Sequence, residues 1–265
     1  MNMNEELELK LFKEIEKLKK EIRELKGEEA SQIPIYSYSS ITLKDLEKIV
    51  SIKQDFSHHT IFDQWLSYRY KIENEEIDFL NSLIDKNAQL IESFNEEELK
   101  VRFISPILNK VDFTSFSREI REFYEFPFSY KTDKFILSGT ADFVVSKGLK
   151  FAQTPYFFIQ EFKKSKKNDD PEPQLLAELI SAVELNNFQI IRGAYIIGSV
   201  WNFVILERIG ILKYKYYISK LFNSTNIDDL KQIYKNLLFV KDEIIQMVDS
   251  DNSISEIQQW NEEHR

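Results

Sequence analysis

The hydrophobic pattern of this chain changes period after Asp112, and that change most constrains how it can fold. From Thr42 to Leu108 the apolar residues recur at helical spacing. Beyond Asp112, three runs are rich in aromatic and β-branched residues, and they predict strands at 120–130, 135–145 and 156–162. A helix followed by three consecutive strands is typical of a layered domain that contains both kinds of structure.

The pattern downstream of the third strand extends this domain. It predicts a helix at 173–185, strands at 193–197 and 201–206, a further candidate strand at 212–218, and a last helix at 227–248. The order is therefore helix, three strands, helix, and two or three strands. We expect an α/β (α+β) fold with a mixed central sheet flanked by helices.

Residues 4–26 carry a coiled-coil stripe. Apolar residues recur there at spacings of 4, 3, 4 and 3, namely Leu11, Ile15, Leu18, Ile22 and Leu25. With isoleucine at heptad position a and leucine at d, the stripe favours a parallel dimer, and Glu14 and Glu21 at g can pair with Lys19 and Lys26 at e. We expect a homodimer joined by this helix. The alternative is an amphipathic helix that folds back on its own domain.

These patterns divide the chain into four segments. Residues 1–27 form the coiled-coil helix, and 28–94 contain a linker (28–40) followed by a helical segment. Residues 95–248 form the α/β core with its C-terminal helix, and 249–265 form a polar tail.

Composition excludes several classes of protein. The chain has no cysteine, which excludes disulfides and thiolate metal sites and agrees with a cytoplasmic location. It lacks an apolar run of membrane-spanning length, so we expect no membrane partner. Phosphate-binding loops rich in glycine, nucleophile elbows and zinc-ligand spacings are also missing. The net charge of −9 is unevenly distributed: residues 101–240 hold 19 basic and 15 acidic residues, and the remainder holds 16 and 29. A mildly basic segment in an acidic chain permits local contact with phosphates.

Two of the predicted strands carry charged residues in apolar surroundings. Asp142 is flanked by Ala141 and by Phe143, in a strand where aspartate is disfavoured. Glu161 and Lys163 stand two apart at the end of the next strand, so their side chains project to one face. A carboxylate from each of two neighbouring strands can hold Mg²⁺ or Mn²⁺, and a nearby ammonium can orient the attacking water and offset phosphate charge.

This ordered set of an aspartate and a Glu-x-Lys on successive strands resembles the PD-(D/E)XK nuclease superfamily, from about residue 95 to 201. The resemblance implies a restriction-endonuclease-like core, with Glu98 as an additional acidic ligand on the leading helix and Gln174 as a functional polar residue on the helix after the third strand. The chain departs from the pattern in having Ala141 before the aspartate, where proline is usual, and Glu178 where an aromatic residue is usual.

The resemblance implies a metal-dependent endonuclease or exonuclease that hydrolyses phosphodiester bonds in DNA, with RNA as the second candidate substrate. Asp142, Glu161 and Glu98 would bind the metal, and Lys163 and Gln174 would complete the catalytic set. Each residue also has a structural interpretation, such as a solvated helix face or an exposed strand end. Two other functions stay open: a catalytically inactive nuclease fold that binds nucleic acid or assembles complexes, and a scaffold that binds partners through its N-terminal half.

Overall fold

A computed structural model describes residues 17–18, 33–57, 59–163 and 170–263, with backbone alone for 251–263. The chain forms two compact units, residues 1–34 and residues 35–265. The predicted coiled-coil helix lies almost wholly outside the described residues, so its dimer remains a prediction. The architecture below is that of the second unit, which is a mixed α/β fold.

The described part of the second unit contains one mixed sheet. Its strands are β1 (Ile35–Ser37), β2 (Ser51–Gln54), β3 (Ile120–Lys131), β4 (Ile136–Lys147), β5 (Gln153–Lys163), β6 (Ile190–Ile197), β7 (Val200–Gly210), β8 (Lys213–Ile218) and β9 (Phe222–Asn223). The order across the sheet is β1-β4-β5-β6-β7-β8-β2, with β3 paired to β4 and β9 paired to β7.

The helices of this unit pack around the sheet. They are α1 (Leu43–Ile49), α2 (Asp63–Leu66), α3 (Asn74–Asn87), α4 (Glu96–Leu99), α5 (Ser105–Val111), α6 (Pro171–Asn186) and α7 (Ile227–Glu263). A π-helical turn, Lys100–Ile104, joins α4 to α5. Such turns contain an extra residue and are often found at functional sites.

Strand pairing follows the predicted order of elements. Strands β3, β4 and β5 are antiparallel neighbours, because short connections join them. Helix α6 then crosses the sheet, so β6 lies parallel to β5, and β6, β7 and β8 form a second antiparallel set. The predicted strands at 120–130, 135–145 and 156–162 and the helix at 173–185 are all present, and the candidate at 212–218 is a strand.

Both faces of the sheet are buried, and strand alternation assigns each side chain to one face. Phe158 and Phe162 lie in an aromatic core that also contains residues of α3, α5 and α7. Ile159, between them in sequence, lies in the opposite core against Leu175 and Leu179 of α6. The C-terminal end of β5, which carries Glu161 and Lys163, therefore lies at the edge of this two-sided core.

Residue Arg192 of β6 connects the sheet to α7. Its guanidinium forms two hydrogen bonds with the Glu243 carboxylate, both 2.7 Å long, and lies 5.0 Å from the ring centroid of Trp65. The indole of Trp65 in turn donates a 2.8 Å hydrogen bond to the Asn236 carbonyl. Arg192 thus has a structural role, since two of its planar donors bind one carboxylate of α7.

Three of the sequence predictions need correction. The predicted linker at 28–40 contains strand β1, with Tyr38 completely buried just after it. The predicted helical segment contains strand β2, which pairs with β8. Residues 35–94 lie in the same compact unit as residues 95–265. Both strands are shorter than five residues, too short for a periodic signal.

The predicted end of the last helix at residue 248 is also corrected. Helix α7 continues to Glu263, well past the predicted end at 248. Residues 227–265 contain neither glycine nor proline, so the sequence supplies no terminating residue. In the part of the chain that the structure describes, no helix is both long and apolar enough to span a membrane.

Candidate metal and catalytic site

The candidate site lies where strands β4 and β5 diverge. Their antiparallel ladder reaches Phe143 paired with Gln160 and goes no further in that direction. Beyond this pair, β4 continues along β3 and β1, while β5 continues along β6. Asp142 and Glu161 are the next residues on the two strands, so both carboxylates stand at the fork.

Each of these carboxylates bonds the backbone of the opposite strand. Glu161 Oε1 accepts a hydrogen bond from the Asp142 N–H at 3.1 Å, and Asp142 Oδ2 accepts one from the Phe162 N–H at 2.8 Å. These two bonds satisfy amide groups for which no ladder partner remains after the strands separate. The fork therefore fixes the position of both side chains.

The Glu161 carboxylate is fully buried, and its Oε2 has no hydrogen-bond partner. Burial raises the pKa of Glu161 well above its usual range, and the carboxyl groups of Glu178 and Asp142 raise it further. Among the described residues, Lys163 Nζ lies 3.9 Å from Glu161 Oε2. A buried carboxyl group in such surroundings takes up a proton unless a cation compensates its charge.

Lys163 ends β5 on the same face as Glu161. Its side chain is only 16% exposed, and its ammonium also lies 4.0 Å from Glu96 Oε1 of α4. The structure thus brings together Asp142, Glu161 and Lys163, the three residues that the sequence placed at the centre of the site.

Helix α6 contributes a further carboxylate. Glu178 is fully buried, and Gln174 Nε2 donates a 3.1 Å hydrogen bond to its Oε1. Burial raises the pKa of the Glu178 carboxyl, against the lowering effect of the neighbouring Glu161 and Gln174 side chains. Gln174 therefore reaches the site through Glu178. Sequence reasoning treated Glu178 as a departure from a pattern, although it is the only charged residue between 175 and 183 and thus carried a signal.

A second residue missed from the sequence is Lys100, in the π-helical turn. Its side chain is 11% exposed, and its Nζ lies 3.3 Å from Asp142 Oδ1 and bonds the Glu125 carboxylate. Burial lowers the pKa of Lys100, but the carboxylates of Asp142 and Glu125 outweigh it, so the net shift is upward. A signal for its burial was present, because Lys100 precedes the buried Ile104 and Leu108 by four and eight residues, the spacing of one helix face.

Strand β3 is distorted where it meets Lys100. The register passes from Tyr124 opposite Phe143 to Phe126 opposite Ala141, with Glu125 between them. Glu125 has a φ of 48°, in the left-handed region that residues other than glycine rarely adopt. This conformation accompanies the contact between its carboxylate and Lys100.

Glu98 is placed differently from these residues. Its Oε2 accepts the Asn95 N–H at 3.1 Å, while Asn95 Oδ1 accepts the Glu98 N–H at 2.8 Å. This reciprocal pair is a capping box, which closes the first turn of α4. Glu96 is the α4 carboxylate that approaches Lys163.

Asp142 and Glu161 are the residues at the fork that could hold a magnesium ion. In the described residues, no group of three or more histidine, aspartate or glutamate side chains has the geometry of a metal cage. Mg²⁺ is commonly held by only one or two carboxylates, with waters and substrate phosphates completing the shell. Asp142 and Glu161 supply two carboxylates, and Glu161 Oε2 has no hydrogen-bond partner among the described residues.

Comparison with known proteins does not assign the chain to a family. No family model matches it, and none of the curated proteins matches it either. The chemistry of the site therefore rests on the residues themselves.

Proposed function

We propose that this chain is a metal-dependent nuclease of the PD-(D/E)XK type that hydrolyses phosphodiester bonds in DNA, with RNA as the second candidate. The observation that carries the proposal is the fork of β4 and β5. There Asp142 and Glu161 bond each other's strands, and Lys163 Nζ stands 3.9 Å from the unpaired oxygen of Glu161.

The order of elements supports a restriction-endonuclease-like core. Helices α4 and α5 precede three antiparallel strands, α6 crosses the sheet, and β6 lies parallel to β5. This is the arrangement in which the superfamily resemblance expects its acidic residues, with Asp142 on the second strand and Glu161 and Lys163 on the third. The fold alone assigns no activity, so the proposal depends on the site.

The proposed roles follow from the position of each group. Asp142 and Glu161 would hold one Mg²⁺ or Mn²⁺, which when bound polarises the phosphate and lowers the pKa of a water ligand. The Lys163 ammonium lies on the same face, where it can orient the attacking water and offset charge on the phosphate. Glu178 and Gln174 support Glu161 from α6. Glu98 fixes the start of α4, and any contribution to the metal is secondary.

A catalytically inactive binding module is the second candidate, and one observation favours it. The Lys100 ammonium already neutralises Asp142, so the fork can be stable without a metal ion. In that case the chain would keep the nuclease fold and bind nucleic acid or assemble complexes without cleaving.

Cleavage assays separate the two candidates. Purified protein is incubated with linear duplex, circular duplex and single-stranded DNA and with RNA, with Mg²⁺, with Mn²⁺, or with chelator. The proposed function predicts cleavage that requires the metal ion and is lost in Asp142→Ala. Cleavage of circular DNA identifies an endonuclease. Binding without cleavage under every metal condition would favour the inactive module.

A further inference from the structure

Lys100 occupies a position from which an ammonium cannot easily withdraw. Its neighbours Leu99, Phe103 and Ile104 are buried to within 1% exposure, so the π-helical turn that carries it is anchored in the core. Its Nζ also lies 5.7 Å from the ring centroid of Phe162. The ammonium is therefore a fixed positive charge beside Asp142.

The contacts of the two central carboxylates are unequal. Asp142 Oδ1 faces Lys100 at 3.3 Å, and Asp142 Oδ2 accepts the Phe162 N–H. Glu161 Oε1 accepts the Asp142 N–H, whereas Glu161 Oε2 has no hydrogen bond. Among the described residues, the oxygen without a hydrogen bond is thus on Glu161, and the Asp142 side already has a cation.

Two carboxylates hold Lys100, which limits what else its charge can do. Glu125 bonds Nζ from β3 while Asp142 approaches from β4. An ammonium held by two carboxylates is poorly placed to follow a phosphate. Lys163 has a different position, because its ammonium lies 3.9 Å from Glu161 Oε2 and 4.0 Å from Glu96 Oε1.

We propose that Lys100 is a built-in cation of the centre: it occupies the Asp142 side in place of a second metal ion and lowers the affinity for the one divalent ion bound at Glu161. This inference rests on the proposed function, because it concerns the same site. It assigns Lys100 as a positioning residue that sets the number of ions and their affinity.

The test is titration with Mn²⁺ alone, followed by calorimetry, on the full chain. Wild type should bind one ion per chain. Lys100→Met removes the competing charge and should bind Mn²⁺ at least about tenfold more tightly, because the repulsion between the ammonium and the ion is lost. Lys100→Arg keeps the charge and should bind like wild type. Lys110→Met is the matched control, since Lys110 pairs with Glu75 and contacts the Phe79 ring outside the site.

Thermal unfolding gives a second measurement that a merely structural ion pair would not affect. If Lys100 stands in for a cation, Mn²⁺ should raise the melting temperature of Lys100→Met by more than that of wild type. A structural ion pair predicts the same metal-induced shift in both proteins. That result, or equal Mn²⁺ affinity in the calorimeter, would overturn the inference.

If Lys100→Met does not fold, a variant on β3 provides the test. The Glu125 side chain is 60% exposed, so Glu125→Gln should be tolerated. This substitution removes the Glu125 charge from Lys100 and keeps the ion pair of Lys100 with Asp142, so it should weaken Mn²⁺ binding. Glu122→Gln removes a charge from the same strand and is the control. Equal effects of the two variants would contradict a role for Lys100.

The outcomes also separate this inference from the proposed function. Binding by wild type without a gain in Lys100→Met overturns the inference alone. Binding by Lys100→Met but not by wild type supports the inference and overturns the proposed function for the natural chain. Binding by neither protein overturns both.

Discussion

Asp142 and Glu161 each accept a hydrogen bond from the strand that carries the other, at 2.8 Å and 3.1 Å. Two strands that separate leave amide groups without partners, and here the carboxylates satisfy them. The same two side chains therefore satisfy the backbone where the strands separate and form the candidate metal site. This double role determines which substitutions can test the chemistry without disturbing the fold.

Glu161→Gln is the sharpest test of the proposed activity. The amide oxygen can still accept the Asp142 N–H, so the fork should remain closed while the charge is lost. We expect Glu161→Gln to reduce metal-dependent cleavage at least about 100-fold, the scale of losing a charge-stabilising group. Glu207→Gln is the control, because Glu207 accepts a bond from Tyr217 away from the fork. Circular dichroism should be unchanged in both variants.

Lys163→Ala tests the ammonium separately. Without its charge beside Glu161, we expect a loss in cleavage rate of at least about 100-fold with Mn²⁺ binding retained. Lys213→Ala, at an exposed position on β8, should cleave like wild type. Near wild-type cleavage by Lys163→Ala would remove this residue from the mechanism.

The capping box predicts a structural effect for Glu98. Glu98→Ala should lower the free energy of unfolding by about 1 kcal/mol, the scale of losing an N-terminal capping interaction. Its Mg²⁺ dependence of cleavage should match that of wild type. Denaturant unfolding and a Mg²⁺ titration of activity measure the two effects. A raised Mg²⁺ requirement in both Glu98→Ala and Glu98→Gln would show that Glu98 contributes to metal binding.

The buried carboxyl groups predict how stability depends on pH in the presence of chelator. Burial raises the pKa of Glu161 and of Glu178, with Asp142 and Lys163 as charged neighbours. A carboxyl whose pKa is raised in the folded state binds more protons there than when unfolded, so stability falls as pH rises through the folded pKa. Thermal unfolding at pH values rising from about 4.3, the ordinary pKa of a glutamate in the unfolded chain, should show this fall. Glu178→Gln should flatten it, and an unchanged slope would contradict the shared burial of the pair.

Gly139 is required by the close approach of Tyr38. A methyl group on Gly139 would stand 2.8 Å from Tyr38 Cδ2 and 2.9 Å from its Cβ. Gly139→Ala should therefore destabilise the fold by about 1–3 kcal/mol, as overpacking of a buried site does. Gly210→Ala is the control, because its nearest contact would be Lys213 Cδ at 3.5 Å. Equal melting temperatures for the two variants would refute the steric argument.

The N-terminal coiled coil remains a prediction about assembly. Burial of the stripe at Ile15, Leu18, Ile22 and Leu25 should hold a parallel dimer, with the Glu–Lys pairs selecting register. Light scattering on the full chain and on a chain that begins at Glu28 measures it. A dimer in the first and a monomer in the second is expected. Equal masses at micromolar concentration would favour a helix that packs on its own domain.

Sequence periodicity predicted the strands and the crossing helix because their length and composition carry the signal. Runs such as 156–162 contain aromatic and β-branched residues over a whole strand, and α6 is apolar along most of its length. Strands β1 and β2 escaped prediction because they are short and are held by distant partners, β4 and β8. Pairing with a distant strand leaves no local period.

The residues of the candidate site also differ in how well the sequence predicted them. Asp142, Glu161 and Lys163 could be predicted because charge in an apolar strand is conspicuous. Lys100 was missed because its neighbours in sequence describe an ordinary charged helix start, although it stands four residues before Ile104, on the same helix face.

The π-helical turn at Lys100–Ile104 matters when other sequences are aligned with this one. A π-helical turn accommodates one residue more than an α-helical turn, so removing one residue between 100 and 104 would restore a regular helix. Lys100 would then rotate by about 100° relative to α5 and leave Asp142. A single-residue gap at this point in an alignment would therefore mark the chains in which the ammonium no longer reaches the fork.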